Sequence, residues 1–174
     1  MKLRKKQNKN KGFLIWITGL SGSGKTSIAK KIKPIIQKKI GPTLLIQGDN
    51  LRKIFKLNKY DKVSRLKIGR KFCKFVKFIT DQNVNVIFTV VGMFDEIRNW
   101  NREKIENYIE IYIKSKISKI KKKGKKNLYK NKNQQIVGIQ IKPQFPKKPD
   151  IIINNNFNKS IDILSKELIF KLFK

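Results

Sequence analysis

Histidine is absent from this chain of 174 residues, and cysteine occurs once, at Cys73. Without histidine the chain has no imidazole general base, no Ser-His triad and no histidine metal ligand. A single cysteine excludes an intramolecular disulfide framework and any metal site built from several cysteines. The chemistry of a functional site therefore has to come from carboxylates, amines, guanidinium groups, hydroxyls and the backbone.

Long apolar runs are also missing. No run approaches the roughly 18 residues that a membrane span needs, and an early run at residues 13–20 leads directly into glycines. A secretory signal has a longer apolar stretch and a small-residue cleavage site, whereas this chain has a single alanine, Ala29. We therefore expect a cytoplasmic protein without a membrane partner.

Acidic residues are scarce, since 11 Asp and Glu stand against 43 Lys and Arg and give a net charge of +32. Such a charge is typical of nucleic-acid-binding proteins, whose basic side chains neutralise phosphates. However, only six of the 43 basic residues are arginines, the type whose planar fork suits phosphate recognition. The lysines are spread along the whole chain, which favours mutational drift of solvated positions. We expect no specific nucleic-acid partner and keep nucleic-acid binding as an alternative.

Short apolar runs alternate with helical patterns along the chain. The predicted strands cover residues 13–18, 43–46, 84–91, 108–113 and 150–153. The predicted helices cover residues 25–39, 64–83, 95–106, 115–123 and 160–173, with Ser64 as the N-cap of the longest. This alternation predicts an α/β fold of three layers, in which helices flank both faces of a parallel sheet.

Two segments of the chain lack periodicity. Residues 1–11 are basic and polar and are predicted to be a disordered leader, so that residues 12–174 form the folded domain. Residues 124–149 are rich in lysine, contain three prolines and are predicted to be a lid.

The segment from Gly19 to Thr26 matches the pattern G-x-x-x-x-G-K-[ST] without a mismatch. In such a phosphate loop, glycines let backbone N–H groups turn toward phosphate oxygens, and the following helix presents its first amides to the same anion. Lys25 is predicted to reach the β- and γ-phosphates of ATP, and Thr26 to bind Mg²⁺. A chance glycine-rich turn is the weaker explanation, because a strand precedes the motif and a helix follows it. The predicted ATP-binding residues are Gly19, Ser21, Gly22, Ser23, Gly24, Lys25, Thr26 and Ser27.

A second polar cluster, Gln47 to Arg52, follows the second strand at the edge where α/β folds bind ligands. Asp49 is predicted to bind Mg²⁺ or its water, or to accept a proton from the acceptor hydroxyl, so that Lys25 and Asp49 are the catalytic candidates. Arg52 is predicted to bind an anionic substrate. The structural alternative makes Asp49 a helix cap and Arg52 a solvated side chain. The chain length favours a small-molecule kinase over a motor protein or a GTPase.

Together, residues 15–26 and the Gln47 to Arg52 segment resemble the adenylyl-sulfate kinases of sulfate activation. Further similar segments follow in the family's order at residues 60–66, 75–82, 94–112, 127–130, 136–139 and 146–150. The resemblance implies a P-loop NTPase fold and transfer of phosphate from ATP, with Mg²⁺, to the ribose 3′-hydroxyl of adenylyl sulfate. It also allows a homodimer. The site residues that it implies are Arg52, Arg65, Phe94 and Leu128 for the substrate and Lys123 for the nucleotide.

The chain departs from the family at several of these positions. Gln47 replaces an aspartate near the metal, and Gly92 replaces a serine. Ile68 replaces a substrate-binding asparagine, and Lys123 replaces an arginine that packs on the adenine. Three alternatives therefore stay open: a related kinase with another nucleotide or a glycan precursor as acceptor, a nucleotide-binding remnant without turnover, and a basic nucleic-acid-binding protein.

The phosphate loop leads to one direct test. We expect Lys25→Ala to abolish phosphoryl transfer and to leave the fold intact, because the motif directs Lys25 at the ligand. Steady-state kinetics and circular dichroism measure the two effects. Turnover near the wild-type rate in this variant would contradict the assignment.

Overall fold

The fold is known from a computed structural model that describes residues 8–123 and 135–174. Its strands are β1 (Leu14–Thr18), β2 (Thr43–Gln47), β3 (Asn85–Val90), β4 (Tyr108–Lys114) and β5 (Ile151–Asn154). Its helices are α1 (Lys25–Ile40), α2 (Gly48–Ile54), α3 (Lys62–Thr80), α4 (Asp95–Lys104), α5 (Ile117–Lys122) and α6 (Ile161–Phe173). The predicted strands and the five predicted helices are confirmed, with ends that differ by at most three residues. Helix α2 was not predicted.

The five strands form one sheet in the order β2-β3-β1-β4-β5, and every neighbouring pair is parallel. Side chains alternate between the two faces of a strand, and both faces of β1 are buried. Trp16 points to the face covered by α3 and α4, whereas Ile15 and Ile17 point to the face covered by α1 and α6. The predicted three-layer α/β fold is confirmed.

The first core lies between the sheet and helices α3 and α4. Its centre is a stack of Trp16 on Phe88, with ring centroids 4.8 Å apart, and Phe72 of α3 packs on Phe88 at 5.7 Å. The second core is almost entirely aliphatic and includes Ile32 and Leu164, which are fully buried. Burial of these side chains supplies most of the favourable free energy of folding.

Helix α3 begins earlier than predicted, and Ser64 is not its N-cap. The Asp61 carboxylate accepts a hydrogen bond of 2.9 Å from the Ser64 backbone N–H, which makes Asp61 the cap. Asp and Ser are similarly good N-caps, so the residue types alone did not distinguish between the two positions. At the other end of the chain, Ser160 caps α6 by accepting from the Ile163 N–H.

The predicted leader and lid are described only in part. Residues 1–7 and 124–134 lie outside the described residues. Asn8 and Lys11 contact the folded domain, because both of their carbonyl oxygens accept hydrogen bonds from the Asn107 side-chain amide. In the second half of the predicted lid, Val137 and Ile141 are buried and form an isolated bridge. None of the helices in the described residues has the length and apolarity needed to cross a bilayer.

The second core gives a stability test with a matched control on one helix. Ile32 is fully buried on α1, whereas Ile35 on the same helix is 39% exposed. We expect Ile32→Ala to lower the free energy of unfolding by about 2 to 5 kcal/mol, because it leaves a cavity. The same change at Ile35 is expected to cost less than about 1 kcal/mol. Urea denaturation measures both, and equal losses would contradict this assignment of the core.

Candidate active site

The phosphate loop connects β1 to α1 at the carboxyl edge of the sheet. Gly24 precedes the first helical residue with φ of +93°, a conformation that side chains disfavour. A Cβ atom at this position would lie 2.9 Å from Nδ2 of Asn155, so the position also lacks space. Asn155 is buried behind the loop, and its Nδ2 donates a 2.9 Å hydrogen bond to the Ser23 carbonyl. The residue after β5 therefore supports the loop from behind.

A cleft of about 520 Å³ opens in front of this loop and is named here the phosphate cleft. Six of the predicted ATP-binding residues line it: Ser21, Gly22, Gly24, Lys25, Thr26 and Ser27. Asp49 lines it from the opposite side. The predicted residues Gly19 and Ser23 do not line the cleft. Ser23 is fully buried, and Gly19 lies against the Ile113 carbonyl.

Lys25 is buried at the base of the phosphate cleft. Its Nζ donates a 2.8 Å hydrogen bond to the Leu20 carbonyl, across the loop. Burial lowers the pKa of Lys25 from 10.5 to about 8, and the charge of Asp49 opposes this shift. A polyphosphate in the cleft would favour the charged ammonium and raise the pKa again.

Asp49 lies in the first turn of α2, the helix that sequence reasoning missed. The helix is short, and its Gly-Asp-Asn start has poor helix propensity, although an acidic residue is favourable at a helix N-terminus. The Asp49 side chain is exposed and borders three clefts, among them the phosphate cleft. Of the two residues proposed for Mg²⁺, Thr26 offers a hydroxyl and Asp49 a carboxylate to one space. Mg²⁺ commonly binds one or two such groups together with substrate phosphates, so this donor set fits the ion.

A second cleft of about 580 Å³ lies beside the first and is named the acceptor cleft, after the substrate that the resemblance implies. The predicted substrate residues Arg52, Arg65 and Phe94 line it, and so does Ile68. Asp49 lines both clefts, together with Val90 and Val91 from the end of β3. The two clefts therefore meet at Asp49.

Tyr60 holds the two arginines of the acceptor cleft together. The guanidinium carbon of Arg52 lies 4.6 Å from the centroid of the Tyr60 ring, and that of Arg65 lies 5.2 Å from it. Cation–π contacts of this kind stabilise a guanidinium that has lost water. Sequence reasoning did not assign Tyr60 to the site, although it belongs to a segment that resembles the family.

Both arginines also donate to backbone carbonyls. Arg52 Nη1 donates to the carbonyls of Leu57 and Lys59, each at 3.0 Å. Arg65 Nε donates to the Tyr60 carbonyl at 2.6 Å, and its Nη2 donates to the Gln135 carbonyl at 2.8 Å. Both guanidinium groups are thus already held in place, and Arg65 connects α3 to Gln135 in the predicted lid.

The remaining predicted site residues are Lys123 and Leu128. Lys123 is exposed at the end of α5 and does not line the phosphate or the acceptor cleft. Leu128 lies outside the described residues. The roles assigned to both stay predictions.

Comparisons with known proteins agree on one family. The sequence profile of the adenylylsulphate kinase family matches residues 11–154. The cytidine diphosphoramidate kinase of Campylobacter jejuni is 36% identical over 168 residues, which cover 92% of this chain and 98% of that protein. The adenylyl-sulfate kinase of Clostridium acetobutylicum is 32% identical over 158 residues, which cover 86% of this chain and 78% of that protein.

Among solved structures, a Mycobacterium tuberculosis APS kinase in complex with AMPPNP and APS is similar along its whole length. The TM-score is 0.82 at 25% sequence identity, and the match covers 94% of this chain and 99% of that one.

The lowered pKa of Lys25 predicts proton uptake when a nucleotide binds. Above pH 8, Lys25 is mostly neutral in the free protein. Phosphates raise its pKa, so binding draws a proton from the buffer. For ADP without divalent cations, we expect an uptake of about 0.7 proton at pH 8.5 and close to zero at pH 7. Calorimetric titration in two buffers with different ionisation enthalpies measures it.

The control is Lys53→Met, which removes an exposed lysine on α2 and is expected to keep the uptake. Lys25→Met should remove it. Uptake that persists in Lys25→Met would assign the proton to another group.

Proposed function

Because this chain is a kinase of the adenylylsulphate kinase family, we propose that it phosphorylates a ribose hydroxyl of a small anionic nucleotide, with ATP as the donor. Cytidine diphosphoramidate is the first candidate acceptor, and adenylyl sulfate, which the sequence resemblance implies, is the second. The higher identity to the cytidine diphosphoramidate kinase, over nearly that protein's full length, favours this order.

The observation that carries the proposal is the junction of the two clefts at Asp49. Transfer between two bound molecules needs the donor phosphoryl and the acceptor hydroxyl within contact distance, in line with the leaving oxygen. ATP phosphates in the phosphate cleft and an acceptor in the neighbouring cleft would meet beside this carboxylate. Lys25 and Thr26 lie on one side of the junction, and Arg52 and Arg65 lie on the other.

The chain's own residues would divide the work of the reaction. Lys25 and the loop amides stabilise the charge on the transferring phosphoryl group. Thr26 and Asp49 would hold Mg²⁺, which neutralises phosphate charge when bound. The acceptor oxygen forms a bond to the γ-phosphorus as the bond to the bridging oxygen of ADP breaks. The hydroxyl proton passes to Asp49 directly or to solvent through an oriented water.

The charge in the acceptor cleft fits an anionic acceptor. Burial, and then the neighbouring charge of Arg52, lower the pKa of the Arg65 guanidinium. Two partly desolvated positive charges that repel each other are stabilised by a negative group placed between them. Both candidate acceptors carry such a group next to the ribose, on the 5′ side.

Ile68 in the acceptor cleft favours a nucleotide other than adenylyl sulfate. Ile68 is only 7% exposed and gives the cleft an apolar wall where the resemblance places a substrate-binding asparagine. Loss of a side chain that hydrogen-bonds a substrate usually changes which substrate is selected. The identity of the acceptor is therefore the property we expect to differ from adenylyl-sulfate kinases.

An acceptor panel tests the proposal. Purified protein with ATP and Mg²⁺ is assayed for ADP release with cytidine diphosphoramidate, with CDP, with adenylyl sulfate and without acceptor. We expect kcat/KM to be highest for cytidine diphosphoramidate, by about tenfold or more, which is 1.4 kcal/mol of selectivity. A preference for adenylyl sulfate would establish the second candidate. ADP binding without turnover of any acceptor would favour the remnant alternative.

Arg65 provides a test that separates acceptor binding from ATP binding. We expect Arg65→Ala to raise KM for the preferred acceptor by about one to two orders of magnitude, since a charge-assisted contact contributes roughly 1.5 to 3 kcal/mol. KM for ATP should change little, because Lys25 and the loop amides hold that ligand.

Arg70→Ala is the matched control. Arg70 lies on the same helix, is exposed and pairs with Glu96, away from both clefts. An unchanged acceptor KM in Arg65→Ala, or an equal rise in both variants, would contradict the role given to Arg65.

A further inference from the structure

The loop between β3 and α4, residues 91–94, lines one side of the acceptor cleft and is named here the acceptor wall. The backbone of this loop has a left-handed conformation at Gly92, where φ is +44°. A Cβ atom there would lie 2.9 Å from Val90 Cγ1 and 3.3 Å from Thr18 Oγ1. The loop therefore passes close to β1 and leaves little room for a side chain at Gly92.

Successive carbonyl groups of this loop are each bound by a different element. The Val91 carbonyl accepts a 2.6 Å hydrogen bond from Thr18 Oγ1, directly before the phosphate loop. The Gly92 carbonyl accepts from Arg98 Nη1 at 2.9 Å. The bond from Thr18 fixes the acceptor wall next to the phosphate loop, and the bond from Arg98 attaches it to α4.

Gln144, in the second half of the predicted lid, makes the remaining attachments. Its backbone N–H donates to the Met93 carbonyl at 2.9 Å, and its side-chain Oε1 accepts from the Asp95 N–H at 2.8 Å. Its own carbonyl accepts from Arg98 Nη2 at 2.8 Å. Arg98 thus binds the loop and the lid segment with one planar group.

The Arg98 guanidinium is itself fixed by buried charge. Arg98 is 3% exposed, and its Nε lies 3.1 Å from Oε1 of Glu110, a buried residue in the middle of β4. Its Nη2 also pairs with Asp95 at the start of α4. A buried arginine is costly unless it is paired. Both terminal nitrogens of Arg98 donate hydrogen bonds, and its Nε faces Glu110 Oε1 as an ion pair without hydrogen-bond geometry.

We propose that Arg98 is the positioning residue of the acceptor cleft: held by Glu110, it fixes the Gly92 and Gln144 carbonyls and so sets the acceptor wall relative to the phosphate loop. Its effect on acceptor kinetics rests on the proposed function. Its effect on the loop does not.

Arg98→Lys is the central test. Lysine keeps the positive charge for Glu110, but a compact ammonium cannot reach both carbonyls and the carboxylate as a planar fork does. Without any substrate, we expect hydrogen exchange of the amides at 91–95 to become about tenfold faster or more, because the loop opens locally. With the acceptor identified by the panel, we expect its KM to rise about tenfold and KM for ATP to stay within about twofold.

Arg102→Lys is the matched control. Arg102 Nη2 binds the other oxygen of the same carboxylate, Glu110 Oε2, at 2.8 Å, and its Nη1 faces Asp150 rather than the loop. This variant should lower the melting temperature without faster exchange at 91–95 and without a change in acceptor KM. If both variants changed the hydrogen exchange of residues 91–95 equally, Arg98 would only contribute to the stability of the ion cluster around Glu110. That result would overturn the proposal.

A second pair of variants covers the case in which Arg98→Lys fails to fold. Gln144→Leu removes the side-chain oxygen that binds the Asp95 N–H, whereas Gln144→Glu retains one. We expect faster exchange at 91–95 in the first and near wild-type exchange in the second. Wild-type exchange in Gln144→Leu would overturn the proposal. Because exchange is measured without substrate, failure of the proposed acceptors is told apart from failure of this inference.

Discussion

The parallel pairing of β1 with β3 is the constraint on which the site depends. Thr18 at the end of β1 is in register with Val90 at the end of β3. The Thr18 hydroxyl donates a hydrogen bond to the carbonyl of the next residue, Val91. Because the carboxyl ends of parallel strands share one edge, the loops that follow them emerge side by side. The phosphate loop follows β1 and the acceptor wall follows β3, while Asp49 follows β2 on the far side of β3. Neither cleft would exist if this register slipped, since a slip also turns buried side chains outward.

Charge inside the molecule follows a different rule from charge on its surface. Lysine far outnumbers arginine in the sequence, yet the buried basic residues Arg52 and Arg98 are arginines. Each of them has several carbonyl or carboxylate partners. An ammonium cannot supply such planar, forked contacts, whereas a solvated position accepts either side chain. The structure thus fits the drift interpretation of the +32 charge, with arginine kept where its shape is used. Lys25 is the interior exception, and there a point charge on a flexible stem is what phosphate needs.

Much of this architecture follows from local sequence signals. Uniform apolar runs such as Leu14–Thr18 predict buried parallel strands, and the glycines and Lys25 of the phosphate loop predict its chemistry because the motif is local. The family resemblance found in the sequence is confirmed by the profile match over residues 11–154.

The missed features depend on tertiary contacts. Helix α2 lacks propensity and is held by packing against the sheet, which no window of sequence records. Arg98 donates a hydrogen bond to the backbone carbonyl of Gln144, which lies 46 positions away in the sequence. Every residue type has such a carbonyl, so the residue type does not mark this partner. The capping of α3 by Asp61 rather than Ser64 was also missed, because both residue types are good N-caps and the sequence does not distinguish between them. Sequence patterns report which side chains are present, but not which carbonyl a distant side chain will find.

The hydrogen bond from Asn155 to Ser23 has a consequence for how the molecule is made. It joins residues 132 positions apart, and Asn155 is anchored in turn by its N–H to the Lys114 carbonyl and by Ser115 Oγ. A ribosome delivers the phosphate-loop sequence early and its rear support late, after β4 and β5 have been synthesised. Until then the glycine-rich loop lacks the contact that limits its freedom, and closing so long a loop is entropically costly. The nascent chain therefore carries its nucleotide motif for most of its synthesis before the contact that supports the loop from behind can form.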